Sequence, residues 1–300
     1  MSELGLGTWG LSGDGYGPVL ESEMERVIDR AVEVGITLFD TADVYGEGQM
    51  EKLLGKRLPQ GKTAVVTKIG TNLKEGQKIF KSSFLYYAFD RSEERLQRSP
   101  IDVVLLHNPS VYTLKQDEWL EAIDLLKSRG QMKAWGVSCG SLAVAEKAIE
   151  RGAEVLELAY NCFFFADVAA LGEKMREKGV GLLARSVLAH GLLAGHWSPE
   201  REFYPPDHRA DRWNPEDLRK RVEHLDALRG CVGGAIPNMR ALALRFVLEN
   251  DNVSSAILGP RSKAQLDQLV REAGRMPPYL PAATMTKLTG ALGARGIGGT

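Results

Sequence analysis

The chain has 300 residues, 44% of them hydrophobic, enough for a sizeable core in either two small domains or one large α/β barrel. Its 38 basic and 39 acidic side chains leave a formal charge of -1; with no long basic stretch, nucleic acid and anionic membrane are poor partners. Three cysteines, Cys139, Cys162 and Cys231, form an odd set without Cys-x-x-Cys, which suits a reducing compartment. Met1-Ser2-Glu3 begins nothing like a signal peptide and no apolar run nears the roughly 18 residues of a membrane span, so a soluble cytoplasmic protein is expected.

The first element is a strand candidate, Leu4-Gly5-Leu6-Gly7-Thr8-Trp9-Gly10, followed by a glycine-rich loop to Pro18. Residues 5 to 10 match the dinucleotide fingerprint G-x-G-x-x-G literally, but the last glycine opens no helix, so the Rossmann reading is set aside. Ser22 is placed to cap a helix through Val34, with Met24, Val27, Ile28 and Ala31 on one face and Gly35 as the stop. A short strand then ends at Asp40, and Thr41-Ala42-Asp43-Val44-Tyr45-Gly46 forms the loop beyond it.

From there helix-like and strand-like stretches alternate. Helices are expected near 49–58, 81–98, 116–129, 141–151, 166–178, 238–250 and 262–273. The runs Ala64–Lys68, Asp102–His107, Lys133–Ser138, Val155–Tyr160, Val180–Arg185 and Ser255–Gly259 read as strands. Eight strands, each followed by a helix, imply an α/β fold: a parallel sheet closed into a (β/α)8 TIM barrel as one domain over residues 1–300. About fifty residues separate Arg185 from the next main helix, too many for an ordinary βα loop. Residues 186–236 are therefore expected to form a long insertion after the seventh strand, over the site and with its own helix near 215–229. Residues 277–300 are expected to be a flexible tail.

In such a barrel, order along the chain is order around the ring. Asp40, Lys68 and His107 would end strands two, three and four at roughly 5 Å spacing, with Tyr45 arching over from the second loop. Singly, each residue has a bland reading as a cap, a solvated charge or a structural ring. Together they suit proton transfer. A phenol is a poor proton donor at neutral pH, a nearby ammonium lowers its pKa, and a buried ammonium needs a counter-charge. Such a set can protonate a carbonyl oxygen but holds no hydride, so a cofactor is implied.

The residues that carry a family likeness are Leu4–Trp9, Phe39–Gly46, Val66-Thr67-Lys68, Leu105-Leu106-His107, Trp135-Gly136-Val137-Ser138 and Gly259-Pro260-Arg261-Ser262. On these the chain resembles the aldo-keto reductases from Leu4 to about Ala273. The resemblance implies a barrel that binds a nicotinamide cofactor in extended form, with Asp40, Tyr45, Lys68 and His107 as catalytic residues and Tyr45 as general acid. It implies cofactor contacts at Thr8, Trp9, Ser138, Glu157, Arg185, Ser186, Leu188, Gly191, Leu193, Gly259, Arg261, Ser262 and Gln265.

Three positions depart from the family pattern. Cys139 stands where asparagine is common, Leu269 replaces the asparagine often found at the adenine, and Glu157 occupies a usual glutamine position. A carboxylate can accept from the carboxamide NH2 but cannot donate. Arg261 suits a 2'-phosphate, so NADPH is expected ahead of NADH. The expected partner is a small-molecule carbonyl substrate, with Trp9 as a candidate pocket wall and the long segment after Arg185, including His190 and Trp197, as what closes it; monomer and homo-oligomer are both open.

Three other readings compete. Gly136-Val137-Ser138-Cys139-Gly140 matches the hydrolase elbow G-x-S-x-G, with Asp167 and His190, His196, His208 or His224 following in triad order. That reading has no oxyanion segment and leaves the other four polar residues without a purpose. A metal-dependent hydrolase lacks His-x-His and His-Glu-x-x-His spacings, so no metal is expected. A cofactor-binding module with little turnover, resembling a channel β subunit, keeps the same four residues and is the functional alternative.

Overall fold

The computed structural model describes residues 1–72, 75–274 and 276–297. Eight parallel strands pair in chain order and close on themselves: β1 (Leu4–Gly7), β2 (Leu38–Asp40), β3 (Ala64–Ile69), β4 (Ile101–His107), β5 (Met132–Ser138), β6 (Val155–Ala159), β7 (Gly181–Arg185) and β8 (Val253–Leu258). Closure runs through Leu4 opposite Ala256 and Leu6 opposite Leu258. The protein is a (β/α)8 barrel, as the alternation of the sequence predicts.

Helices α1 (Glu21–Glu33), α2 (Gln49–Arg57), α3 (Ser82–Leu96), α4 (Val111–Lys115), α5 (Leu120–Ser128), α6 (Leu142–Glu150) and α7 (Ala166–Lys178) follow the first six strands. After β7 come α8 (Arg209–Arg212), α9 (Pro215–Arg229) and α10 (Met239–Leu248). Then α11 (Lys263–Ala273) and α12 (Ala282–Gly293) complete the chain. No helix among the described residues is long and apolar enough to cross a membrane.

One local expectation is corrected. Ser22 does not cap α1: the helix begins one residue earlier, behind Leu20, whose side chain makes no capping bond. Its first turn instead carries Glu21 and Glu23, favourable at the positive end of a helix. The helix expected over 116–129 is present as α5, Leu120–Ser128, and the short α4 before it, Val111–Lys115, was not expected. Ser110 caps α4 through Thr113 N, and fully buried Trp119 donates its indole N–H to Thr113 O at 3.2 Å, filling the corner before α5. Within residues 277–297, α12 buries Leu288 and Leu292; residues 298–300 of the expected tail lie outside the described residues.

The strands divide their side chains by alternation. Phe39, Val65, Val104, Leu106 and Val137 point out into the large core beneath the helices. Leu38, Val66, Leu105, Leu183 and Ile257 form a separate buried cluster inside the barrel. Two residues further along four of those strands, and therefore on the same inner side, stand Asp40, Lys68, His107 and Arg185. Gly136 permits the barrel to close between β5 and β6: a Cβ there would lie 1.8 Å from Val155 O.

Candidate active site

The polar inner layer sits at the C-terminal ends of the strands, the face on which barrels of this class build their sites. Lys68, 1% exposed, donates to both oxygens of Asp40 at 2.8 and 2.7 Å and to Thr41 O at 2.9 Å. Behind it, Thr67 faces outward and donates to the buried Glu51 at 2.6 Å, and Arg95 donates to the other oxygen of Glu51 at 2.7 Å. That network ties β3 to α2 and α3.

Tyr45 opens a 3-10 turn, Tyr45–Gly48, in which Gly46 and Gly48 adopt φ of 56° and 86°. Glycine takes that left-handed conformation without a Cβ penalty. The turn swings the half-buried phenol back over the barrel, so that Lys68 Nζ lies 5.1 Å from its ring centre. The His107 ring meets it edge-on at 6.1 Å between centres. The structure thus brings Asp40, Tyr45, Lys68 and His107 together.

Burial dominates their ionisation. Desolvation works to lower Lys68, but Asp40 and then Glu157 outweigh it and hold the ammonium above its ordinary value. Asp40 is pushed up to about 7 by burial, against the pull of Lys68. The Tyr45 phenol is also raised, first by burial, with Lys68 pulling down and Asp40 and Glu157 pushing up. Lys68 acts on the phenol in the direction the sequence suggests, but desolvation wins. His107 is held well below the usual imidazole range by burial and by Lys78, Lys68 and Arg185, so its ring is neutral; Nδ1 is buried without a partner.

The remaining predicted residues follow the rim of the barrel. Thr8 is fully buried and donates both N–H and hydroxyl to Asp40 O, fixing the end of β2. Ser138 lies opposite His107 and donates to Asn108 Oδ1 at 3.4 Å, not to a histidine as the hydrolase reading requires. Glu157 is buried, 3.3 Å from Lys68 and 4.0 Å from Arg185. Arg185 donates to Cys139 O at 3.0 Å. Ser186, Leu188 and Gly191 lie in the turn beyond β7, whose left-handed residues include Ser186 and Gly191; Leu193 is fully buried in the core. Leu269 is likewise a core residue.

Beyond β8, Gly259 has open space around it and Ser262 caps α11 by accepting from Gln265 N. Gln265 Oε1 accepts from Arg261 N. Arg261 itself donates to Gly17 O and Pro18 O at 2.8 and 3.2 Å, leaving Nε buried without a partner. The chemistry of this set fits a nicotinamide dinucleotide. A guanidinium with an unsatisfied N–H and the N-terminus of an eleven-residue helix suit a phosphate, and unpaired atoms of Glu157 and His107 lie at the other end.

Sequence reading missed a clasp above the site. Trp9 and Tyr16, from the loop after β1, pack on His208 of the long insertion with centres 4.7 and 4.9 Å apart, and His190 lies 5.1 Å from His208. His208 N donates to Gly15 O at 2.8 Å. Arg209 lies 4.9 Å above the Tyr16 ring and 4.5 Å above that of Phe203. Trp197 is 4% exposed and packs on Phe203 and Trp213 inside the insertion. Also missed was Asn161, fully buried, which donates to Ser186 O and holds the turn after β7. The alternation of aromatic and basic residues over 197–213 was the available signal.

A closed eight-stranded barrel with a lysine, a carboxylate, a phenol and an imidazole at its mouth defines the class of protein. The chain belongs to the aldo-keto reductase family, whose model matches residues 3–276, and with it to the NAD(P)H-dependent oxidoreductases. It is 29% identical to the L-galactose dehydrogenase of Arabidopsis thaliana, covering 90% of this chain and 83% of that one. An aldo-keto reductase of Bacillus subtilis is 28% identical over 91% and 85%. The holo structure of an aldo-keto reductase from Bacillus halodurans superposes with a TM-score of 0.80 at 26% identity, covering 97% and 92%.

Proposed function

We propose that the protein reduces an aldehyde or ketone reversibly to an alcohol, with NADPH as cofactor. The observation that carries this reading is the buried Lys68–Asp40 pair beneath the Tyr45 phenol. When bound, the nicotinamide supplies a hydride to the carbonyl carbon. Tyr45 gives its proton to the carbonyl oxygen as the charge develops there. Lys68, held by Asp40 and Thr41, stabilises the resulting phenolate, and neutral His107 orients the carbonyl oxygen beside the phenol.

The cofactor would lie along the rim, with Thr8, Trp9, Ser138, Glu157 and Arg185 around the nicotinamide end. Ser186, Leu188, Gly191 and Leu193 would run beside the pyrophosphate through their backbone. Gly259, Arg261, Ser262 and Gln265 would hold the adenosine phosphate. Preference for NADPH rests on Arg261, whose free Nε and planar fork match a 2'-phosphate. The insertion over 186–236 closes the pocket. Sugar aldehydes are the first substrates to assay, since the Arabidopsis relative is named for L-galactose. NADPH-linked turnover on a panel of sugars, aromatic aldehydes and ketones, with NADH alongside, tests the proposal; tight cofactor binding with no turnover anywhere on the panel would replace it with the binding-module reading.

A further inference from the structure

An ammonium has three N–H donors. Those of Lys68 are directed at Asp40 Oδ1, Asp40 Oδ2 and Thr41 O, at 2.8, 2.7 and 2.9 Å. A fourth oxygen, Glu157 Oε2, approaches to 3.3 Å and receives no hydrogen bond, although the side chain is only 3% exposed. Burying a carboxylate oxygen in that state is costly. A glutamine, which is neutral and common at this position in the family, would avoid the charge. The contact spans the lumen, since β3 and β6 are not neighbours. On its other side Glu157 Oε1 lies 4.0 Å from Arg185 Nε.

We propose that Glu157 is a positioning residue of the proton-transfer site. It acts as a second buried counter-charge on Lys68 that competes with the Tyr45 phenol for the ammonium and so sets the pH at which Tyr45 ionises. The inference rests on the reading of Tyr45 as proton donor and goes beyond a contact to the nicotinamide carboxamide.

Three charged groups act on Tyr45: Lys68 of β3, Asp40 of β2 and Glu157 of β6, with the His107 ring of β4 alongside. Those facing Glu157 are Lys68, Arg185 of β7 and the Cys139 thiol after β5. Of these, only the two carboxylates oppose the phenolate, and only Glu157 leaves the lysine's geometry intact when neutralised. With both carboxylates present, Tyr45 keeps its proton to higher pH. Reduction, which needs the phenol, is favoured near neutrality; alcohol oxidation, which needs phenolate to take the hydroxyl proton, is pushed to alkaline pH.

The test is Glu157→Gln, with Glu157→Met as a second neutral variant and Glu157→Asp to restore the charge. In both neutral variants the alkaline limb of carbonyl reduction and the rising limb of alcohol oxidation should move down together, by about one to two pH units for loss of a like charge at this range. Glu157→Asp should keep the limbs near wild type. A readout independent of turnover is the NMR titration of [13Cζ]tyrosine in cofactor-free protein, with the Tyr45 signal identified by its absence in Tyr45→Phe. That signal should titrate at lower pH in the neutral variants. Unmoved limbs and an unmoved NMR titration, with only the KM for cofactor raised, would overturn the inference and leave Glu157 a carboxamide contact. If wild type turned over no carbonyl, the proposed function would fall while the NMR arm still decided the role of Glu157.

Discussion

Lys68 crosses from β3 to grip both oxygens of Asp40 on β2, each side chain no more than 5% exposed. Their closeness makes the lysine a structural as well as a chemical element. Lys68→Met would leave Asp40 buried without its partner and Glu157 with only the more distant Arg185, a loss of about 3–5 kcal/mol for a broken buried pair. The urea midpoint should fall accordingly, and adding Asp40→Asn and Glu157→Gln to the same chain should recover most of it. A single variant as stable as wild type would show that the ammonium does not balance these carboxylates.

Tyr45→Phe removes the proposed acid while preserving the ring that packs on His107. Carbonyl reduction should drop by about 10²- to 10⁴-fold, the ordinary worth of a positioned general acid. Cofactor affinity, read by fluorescence titration, should stay near wild type. An equal loss of both would place Tyr45 in binding and not in proton transfer.

The clasp over the site should respond to acid. Burial, then Arg212, His208 and other cations, lowers His190 to about 3, and burial with Arg212 also lowers His208. A base whose folded pKa is depressed favours the folded state when neutral. Its contribution is therefore complete above the unfolded value of about 6.5 and is lost as pH falls from there toward the folded value. Thermal unfolding from pH 7.5 to 4.5 should fall less steeply in His190→Asn than in wild type; asparagine tolerates the φ of 58° at this position. Parallel curves would remove His190 from the account.

Gly136→Ala probes closure of the barrel itself. A Cβ placed 1.8 Å from Val155 O cannot be absorbed by a side-chain rotation, because the obstacle is backbone. The two strands would have to part, and the expected cost exceeds the roughly 1–3 kcal/mol of ordinary overpacking. Gly35→Ala serves as control: it has open space around it but a φ of 85°, so it should cost only backbone strain. A Gly136→Ala protein that unfolded at the control's temperature would refute the close approach.

Much of this was legible in the sequence. Period-two alternation put Leu38 with Asp40, Val66 with Lys68 and Leu105 with His107, so the apolar floor and the polar layer above it follow from strand residues alone. The Glu157–Lys68 contact was not legible, because it crosses the lumen between strands that do not pair and depends on a radius no local pattern encodes. The clasp escaped for a related reason. Trp9 and His208 are nearly two hundred residues apart, and the loops carrying them have no periodicity to align them. Ser22 failed as a cap because the chain enters α1 through Leu20, which places Ser22 already inside the first turn between two glutamates that favour the helix's positive end.

The inner cluster of Leu38, Val66, Leu105, Leu183 and Ile257, none more than 8% exposed, has a bearing on proton supply. On the proposed function, each reduction would consume one proton from Tyr45, and that phenol would have to be recharged before the next turnover. These apolar side chains carry no proton acceptor, and the Ser255 hydroxyl beside Leu38 and Ile257 already donates to Glu3 O at the opposite end. On the proposed function, the apolar floor of the barrel would oppose supply from below and favour refilling through the mouth, by which the substrate would also enter. Reprotonation and product departure would then share one doorway, and a bulky alcohol lingering there would delay the refill as well as the exit.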